Sequence, residues 1–308
     1  MGSITLILPV LIALAVIVLV ARLGRDARVI RMSPPAAQAA QRAASRVQLR
    51  NRLAIVVGLL AAVAMGTLAL GVPEDLGRAA LLAPAVGASV AMLVFVLVPS
   101  AEFLESNTVR HAELSPRRAW DYARVWPSYA AMALPLAVTP VLALLADSSG
   151  RSVTHHYGDQ ASSTAGPYPG WFYAVPLLVA SVVLASLTDL ALRRVARAPR
   201  PSDPALRDAD EAVRTLAVRL IVGISAASAL GTVGIALAGA GIPTLNVSGG
   251  VDASFGDTDA SIPAYAPLQV VGIVELVLGA AALAAGLALL FVAVRLATRS
   301  AFRIGAAQ

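Results

Sequence analysis

Long apolar stretches alternate with short polar segments along this chain, and the pattern predicts helices that cross a membrane. A transmembrane helix needs about 20 mostly apolar residues to cross roughly 30 Å of hydrocarbon. The sequence therefore predicts an all-α integral membrane protein, a single domain built as a bundle of seven transmembrane helices. The predicted spans are residues 4–21, 53–72, 79–98, 128–146, 171–188, 220–242 and 268–294.

The arginines fall almost entirely on one side of this arrangement. The arginine-rich segments are residues 22–52, 101–127 and 193–219 and the tail from residue 295, with 8, 4, 7 and 3 of the 24 basic residues. Basic loops stay on the cytoplasmic side of a membrane. We therefore predict that the N-terminus lies outside and the C-terminus inside. The large outer loops are then residues 147–170 and 243–267. Because arginines follow residues 4–21 rather than precede them, we interpret this stretch as an anchor and not a cleaved signal peptide.

Two distant stretches share seven of eleven letters: VGLLAAVAMGT at 57–67 and VGISAASALGT at 222–232. Both place small residues four apart, on one face of a helix, where they let another helix approach closely in lipid. The predicted packing positions are Gly58, Ala62 and Gly66 in the first stretch and Gly223, Ala227 and Gly231 in the second.

The likeness continues backwards, since PVLIALAV opens near residue 9 and PLLVASVV near residue 176. One interpretation is a 3-1-3 parallel repeat, in which spans one to three correspond to spans five to seven and span four links them. The alternative is that helices rich in alanine and glycine resemble each other through composition alone.

Composition narrows the chemistry that is open to the chain. Charged residues make up 14% of the 308 residues, against about 25% in soluble proteins. Every basic residue is arginine, and cysteine is absent. Without lysine the chain has no standard P-loop for ATP and no amine for Schiff-base chemistry. The net charge is +6, and the arginines lie beside apolar runs. This placement indicates a bilayer with anionic headgroups as the partner rather than nucleic acid.

Ionisable residues inside a span are candidate functional sites, and two stand out. Glu275 lies seven residues into the last predicted span. It is a candidate for binding an ion or substrate, and the competing interpretation is an interfacial or hydrogen-bonded structural role. Asp189 is a second candidate at the inner end of the fifth span. It precedes Arg193 by four residues, the spacing of a local ion pair on a helix.

A basic stripe, Arg42, Arg46 and Arg50, repeats every four residues before the second span. Ser33-Pro34 and Asp203-Pro204 are typical helix starts, so we expect a helix in each of the two longest inner loops. Such helices are either solvated elements whose arginines contact lipid phosphates or a cytoplasmic platform for a protein partner.

Two stretches, ELSPRRAWDYA at 113–123 and GPYPGWFYAVPLL at 166–178, resemble multi-pass membrane proteins of high-GC Gram-positive bacteria that have no assigned activity. The resemblance implies the bacterial plasma membrane and supplies no catalytic residues.

The residues themselves form no catalytic or metal-binding constellation, so we expect neither an enzyme nor a cofactor. The predicted function is a transport component or the membrane subunit of a transporter complex, with a separate ATPase or another membrane subunit as its candidate partner. The alternative is a non-enzymatic scaffold or sensor whose inner loops dock a partner.

Overall fold

The computed structural model describes residues 28–32, 34–71, 77–98, 118–157, 161–198, 201, 206–249, 251–255, 258–262, 264–298 and 302–306. The α-helices within these ranges are α1 (Pro34–Gly71), α2 (Arg78–Leu97), α3 (Trp126–Leu145), α4 (Trp171–Arg197), α5 (Arg207–Ser248) and α6 (Ala266–Thr298). The strands are β1 (Arg28–Met32), β2 (Val153–Tyr157), β3 (Ala161–Ala165), β4 (Val251–Phe255), β5 (Thr258–Ile262) and β6 (Phe302–Ala306).

In the described part of the chain, 6 helices are long and apolar enough to cross a membrane. This is the architecture of a multi-pass, predominantly helical membrane protein. The helices coincide with the second to seventh predicted spans. The first predicted span, residues 4–21, lies outside the described residues. The seven-helix count, the orientation and the repeat therefore stay predictions.

α1 and α5 are much longer than the spans predicted within them. They contain 38 and 42 residues, or about 57 and 63 Å of helix, roughly twice the thickness of the hydrocarbon core. The extra length precedes residues 53 and 220, where Ala40 and Val47 pack against Leu206 and Ala209. Each predicted juxtamembrane helix is therefore continuous with the span that follows it.

α5 lies at the centre of the bundle. Within its most apolar window 67% of the residues are buried, against 17% in α1. α5 packs against α2, α3, α4 and α6, whereas α1 packs mainly against α2. A central helix touches protein on most sides, which explains why small residues line so much of α5.

The two loops predicted to lie outside differ from the all-helical prediction, because each contains a β-hairpin. β2 pairs with β3, and β4 pairs with β5, both antiparallel, while β1 and β6 pair in parallel. β2 begins with Val153 and Thr154, and β-branched residues favour strands. The β2–β3 hairpin is fixed to the end of α5, since the hydroxyl of Tyr157 donates a hydrogen bond to the carbonyl oxygen of Val247.

Candidate functional site

The interface between α5 and α6 is a contact of backbone on backbone. A Cβ atom added at Gly279 would lie 2.6 Å from the nitrogen of Ala238 and 2.9 Å from the oxygen of Gly234. Such distances leave room for a hydrogen atom and nothing larger. The glycines of α6 in contact with α5 recur every seven residues, as Gly272, Gly279 and Gly286.

The first predicted set of small residues lies between α1 and α2. A Cβ atom added at Gly87 of α2 would lie 2.7 Å from the oxygen of Gly58 and 2.8 Å from the Cβ of Ala62. Gly66 has open space around it, with nothing within 4 Å of an added Cβ. Two of these three positions therefore mediate close helix packing.

The second set lies against α6. A Cβ atom added at Gly286 would lie 2.8 Å from the oxygen of Ala227 and 3.0 Å from the nitrogen of Gly231. At Gly223 an added Cβ would only make an ordinary contact, 3.6 Å from Ala293. Gly286 thus faces Ala227 and Gly231 as Gly87 faces Gly58 and Ala62. By this geometry Gly58 corresponds to Ala227. The sequence likeness pairs Gly58 with Gly223 instead, which lies one helical turn earlier in α5.

Two residues of each set, Gly58 and Ala62 in the first and Ala227 and Gly231 in the second, line one cavity of about 280 Å³ between α1, α2, α5 and α6. Glycine and alanine leave volume there that larger side chains would fill. Among the described residues of the lining, Ser228 carries the only polar side chain. Its hydroxyl donates to the carbonyl oxygen of Pro84 at 2.7 Å. The cavity surface is therefore suited to hydrocarbon.

Glu275 is buried inside the bundle, at 7% exposure. Its Oε2 lies 2.9 Å from the hydroxyl oxygen of Thr244, which in turn lies 2.8 Å from the carbonyl oxygen of Ala240. A threonine hydroxyl has one proton to donate. Both hydrogen bonds form together when Thr244 donates to Ala240 and a protonated Glu275 donates to Thr244. The geometry fits a neutral carboxyl group that joins α6 to α5.

Tyr168, in the segment between β3 and α4, is a buried titratable residue whose pKa responds to Glu275. Its side chain is 1% exposed. Burial raises the pKa of Tyr168 far above its ordinary value, and a charge on Glu275 raises this pKa further. Tyr168 therefore lies within electrostatic reach of Glu275.

Asp189 is not brought together with Glu275. Its Oδ2 lies 2.8 Å from Nε of Arg193, in the ion pair that the spacing predicts. The hydroxyl of Tyr129 on α3 donates to Asp189 Oδ1 at 3.3 Å. Both members of the ion pair are substantially exposed, at 38% and 61%. This arrangement joins α3 to α4 and resembles a structural contact more than a binding site.

The basic stripe on α1 does not share one environment. Arg42 and Arg46 are exposed, whereas Arg50 is buried at 3% exposure. The guanidinium of Arg50 lies 5.2 Å from the centre of the Phe95 ring, and its Nη2 lies 3.5 Å from Oδ1 of Asn51. Of the three arginines of the stripe, only Arg42 and Arg46 remain available on the surface of the α1 extension.

Arg214 on α5 is also buried, at 4% exposure. Arg214 is paired with Asp210 at 2.8 Å, and its Nη1 donates to the carbonyl oxygens of Val195 and Ala198 at 3.0 and 2.8 Å. Because these carbonyls end α4, Arg214 ties the last turn of α4 to α5.

Sequence reasoning did not identify Thr244, Tyr168 or the glycines of α6. The seven-residue spacing of the glycines is visible in the sequence and could have found them. Thr244 and Tyr168 carry no comparable signal, because their roles depend on contacts between segments far apart in the chain.

Over the part of the chain that the structure describes, no group of three or more His, Asp or Glu residues is placed to hold a metal ion. No protein-family model matches the chain, and neither does any curated protein or solved structure. Its function must therefore be argued from the chemistry of Glu275 and of the cavity.

Proposed function

We propose that this chain is a transport component of the bacterial plasma membrane, and that Glu275 is its proton-binding residue. The observation that carries the proposal is the buried carboxyl group that meets Thr244 across the contact between α5 and α6. Ionisable groups within membrane spans are costly and usually serve ion or substrate movement. Proton transport is the chemistry that one buried carboxyl group performs without a metal or cofactor.

The hydrogen bonds of Thr244 couple the protonation of Glu275 to the contact between α5 and α6. When Glu275 is protonated, its carboxyl donates to Thr244, and Thr244 donates to Ala240. When Glu275 loses its proton, the only donor left between the two side chains is the Thr244 hydroxyl. That hydroxyl then turns from Ala240 to the carboxylate. Proton binding and release therefore change the bonding between α5 and α6 at one point.

The direct experiment is proton flux into liposomes that contain the purified protein and an internal pH-sensitive dye. A potassium gradient with valinomycin supplies the driving force. We expect flux from the native chain and its loss in Glu275→Gln, which keeps the shape of the side chain and removes the titratable group. Asp189→Asn is the matched control, because it removes a carboxylate from another span, and it should retain the flux.

Either of two results would reject the proposal. One is native flux equal to that of empty liposomes, and the other is full flux in Glu275→Gln. A chain without a lysine needs a partner for ATP-driven transport. Recovery of a stoichiometric ATPase with the tagged protein in mild detergent would place the chain in such a complex.

The second candidate function is a membrane scaffold or sensor. The observation in its favour is the helical extension of α1, which carries the exposed Arg42 and Arg46 and packs against the start of α5. On the predicted orientation this extension lies in the cytoplasm. Arg42→Glu with Arg46→Glu should then release a protein partner, while Arg151→Glu on the outer side should not. Partner recovery that is equal in both variants would exclude the scaffold.

A further inference from the structure

The cavity opens between α1 and α6, toward the surface that the bundle presents to lipid. Leu59 of α1 and Leu287 of α6 both line the cavity, yet they are 43% and 66% exposed. A side chain that lines a cavity and is also exposed lies at its mouth. Hydrocarbon from the surrounding bilayer therefore has access to the cavity.

α1 and α6 are antiparallel across this mouth. Nε2 of Gln48 on α1 donates to the carbonyl oxygen of Thr298 on α6 at 2.7 Å. From that bond, Leu59 lies eleven residues forward in α1 and Leu287 eleven residues back in α6. The hydrogen bond and the mouth are therefore separated by the same number of residues on both antiparallel helices.

An exposed arginine lies on each helix at the same level below the mouth. Arg52 precedes Leu59 by seven residues, and Arg295 follows Leu287 by eight. The spacing of seven is close to two full turns and places Arg52 on the face of α1 that borders the mouth, whereas the spacing of eight turns Arg295 by about 80° from Leu287, to the side of that face. The guanidinium of Arg295 lies 4.7 Å from the ring centre of Phe291, which is one turn from Leu287. Two positive charges thus flank the path into the cavity, about 11 Å from its mouth.

We propose that an anionic phospholipid binds at this place, with one acyl chain in the cavity and its phosphate between Arg52 and Arg295. Along α5 the cavity extends from Ile224 to Ile235. This is about 16 Å of helix, near half the thickness of the hydrocarbon core. One leaflet's acyl chain has that reach, and arginine suits phosphate because its planar fork donates two parallel hydrogen bonds. Glu275 is not part of this site. The tests of lipid binding and of proton transport are therefore independent of each other.

Native mass spectrometry of the full chain, titrated with phosphatidylglycerol or phosphatidylcholine, tests this site. We expect preference for phosphatidylglycerol, and a loss of at least about tenfold in its binding in Arg52→Gln with Arg295→Gln, since two charge-assisted contacts are removed. Arg42→Gln with Arg46→Gln is the matched control and should bind as the native chain does. Glycerol phosphate, which has the headgroup without the chain, should not compete.

The acyl-chain half of the site has its own variant. Leu287→Trp should narrow the mouth and weaken phosphatidylglycerol binding. Leu97→Trp, at a residue 70% exposed and outside the cavity lining, should not. The proposal is overturned if phosphatidylcholine binds as well as phosphatidylglycerol, if the Arg52 and Arg295 double variant keeps its affinity, or if the two tryptophan variants bind alike. Because all the substituted side chains are exposed, thermal unfolding in detergent should show each variant folded.

Discussion

Replacing Gly279 by alanine measures how tightly α5 and α6 are held together. The new Cβ atom would lie 2.6 Å from the nitrogen of Ala238, 2.9 Å from the oxygen of Gly234 and 3.1 Å from the Cα of Ala238. Carbon atoms in good contact are about 3.5–4.0 Å apart. α6 must therefore move away by roughly half an ångström or more, because every atom in the way belongs to the backbone of α5.

Overpacking of this kind costs about 1–3 kcal/mol. Alanine recovers up to about 1 kcal/mol through its better helix propensity, so we expect Gly279→Ala to lose about 1–2 kcal/mol of unfolding free energy. Gly239→Ala on α5 is the matched control, since an added Cβ there meets nothing within 4 Å. That variant should be neutral or more stable by up to about 1 kcal/mol.

Reversible unfolding in mixed micelles, driven by a denaturing detergent and followed by near-ultraviolet circular dichroism, gives both values. The variants should differ by about 2 kcal/mol, which is the overpacking cost alone, because the gain in helix propensity is the same at both sites and cancels. If Gly279→Ala is as stable as Gly239→Ala, the two helices are not in backbone contact and the account of their packing is wrong.

Three further outcomes are expected. Asp210→Asn should lower the free energy of unfolding by about 3 kcal/mol, because Arg214 keeps its two carbonyl partners but loses the charge of Asp210. Chemical denaturation measures this loss. A loss smaller than that of Asp189→Asn, in the exposed ion pair, would contradict the prediction. Ser228→Ala should lower the free energy of unfolding by only about 0.6 kcal/mol, the usual contribution of a hydrogen bond between membrane helices. A several-fold larger loss in the same assay would show that the contact with Pro84 contributes more than one such hydrogen bond. Tyr168 should ionise well above pH 10, since its pKa is raised by burial. Its contribution to stability is then complete below the ordinary pKa of tyrosine and falls as the pH rises above that value. An ultraviolet titration in which Tyr168→Phe removes a phenol of ordinary pKa would refute the raised pKa.

The features that the sequence predicts well are those fixed by short stretches of chain. A span is recognised by about 20 apolar residues, so residues 79–98 and 128–146 coincide closely with α2 and α3. α1 begins at Pro34, as the pair Ser33-Pro34 predicts, because serine followed by proline is a local signal of a helix start. Asp189 and Arg193 pair because four residues separate them on one helix.

The features that the sequence could not predict depend on contacts between distant segments. Thr244 and Glu275 are 31 residues apart and meet only because α5 and α6 pack through glycine. Arg50, which has the same spacing in the stripe as Arg42 and Arg46, is buried and lies against Phe95 on another helix. The β-hairpins were missed because their strands are short, at 5 residues each, and such strands are fixed by pairing more than by composition.

The unbroken length of α5 makes it a stiff lever. Its N-terminal tip is tied to the tip of α1, while its far end carries Thr244, the partner of Glu275. If the helix pivots by about 10° near its middle, the tip moves sideways by roughly 5 Å, since that arm is about 30 Å long. On the proposed function, a protein or lipid that moved the tip would displace Thr244 at the far end, and the turn that contains Pro243 is the point at which this helix bends most easily.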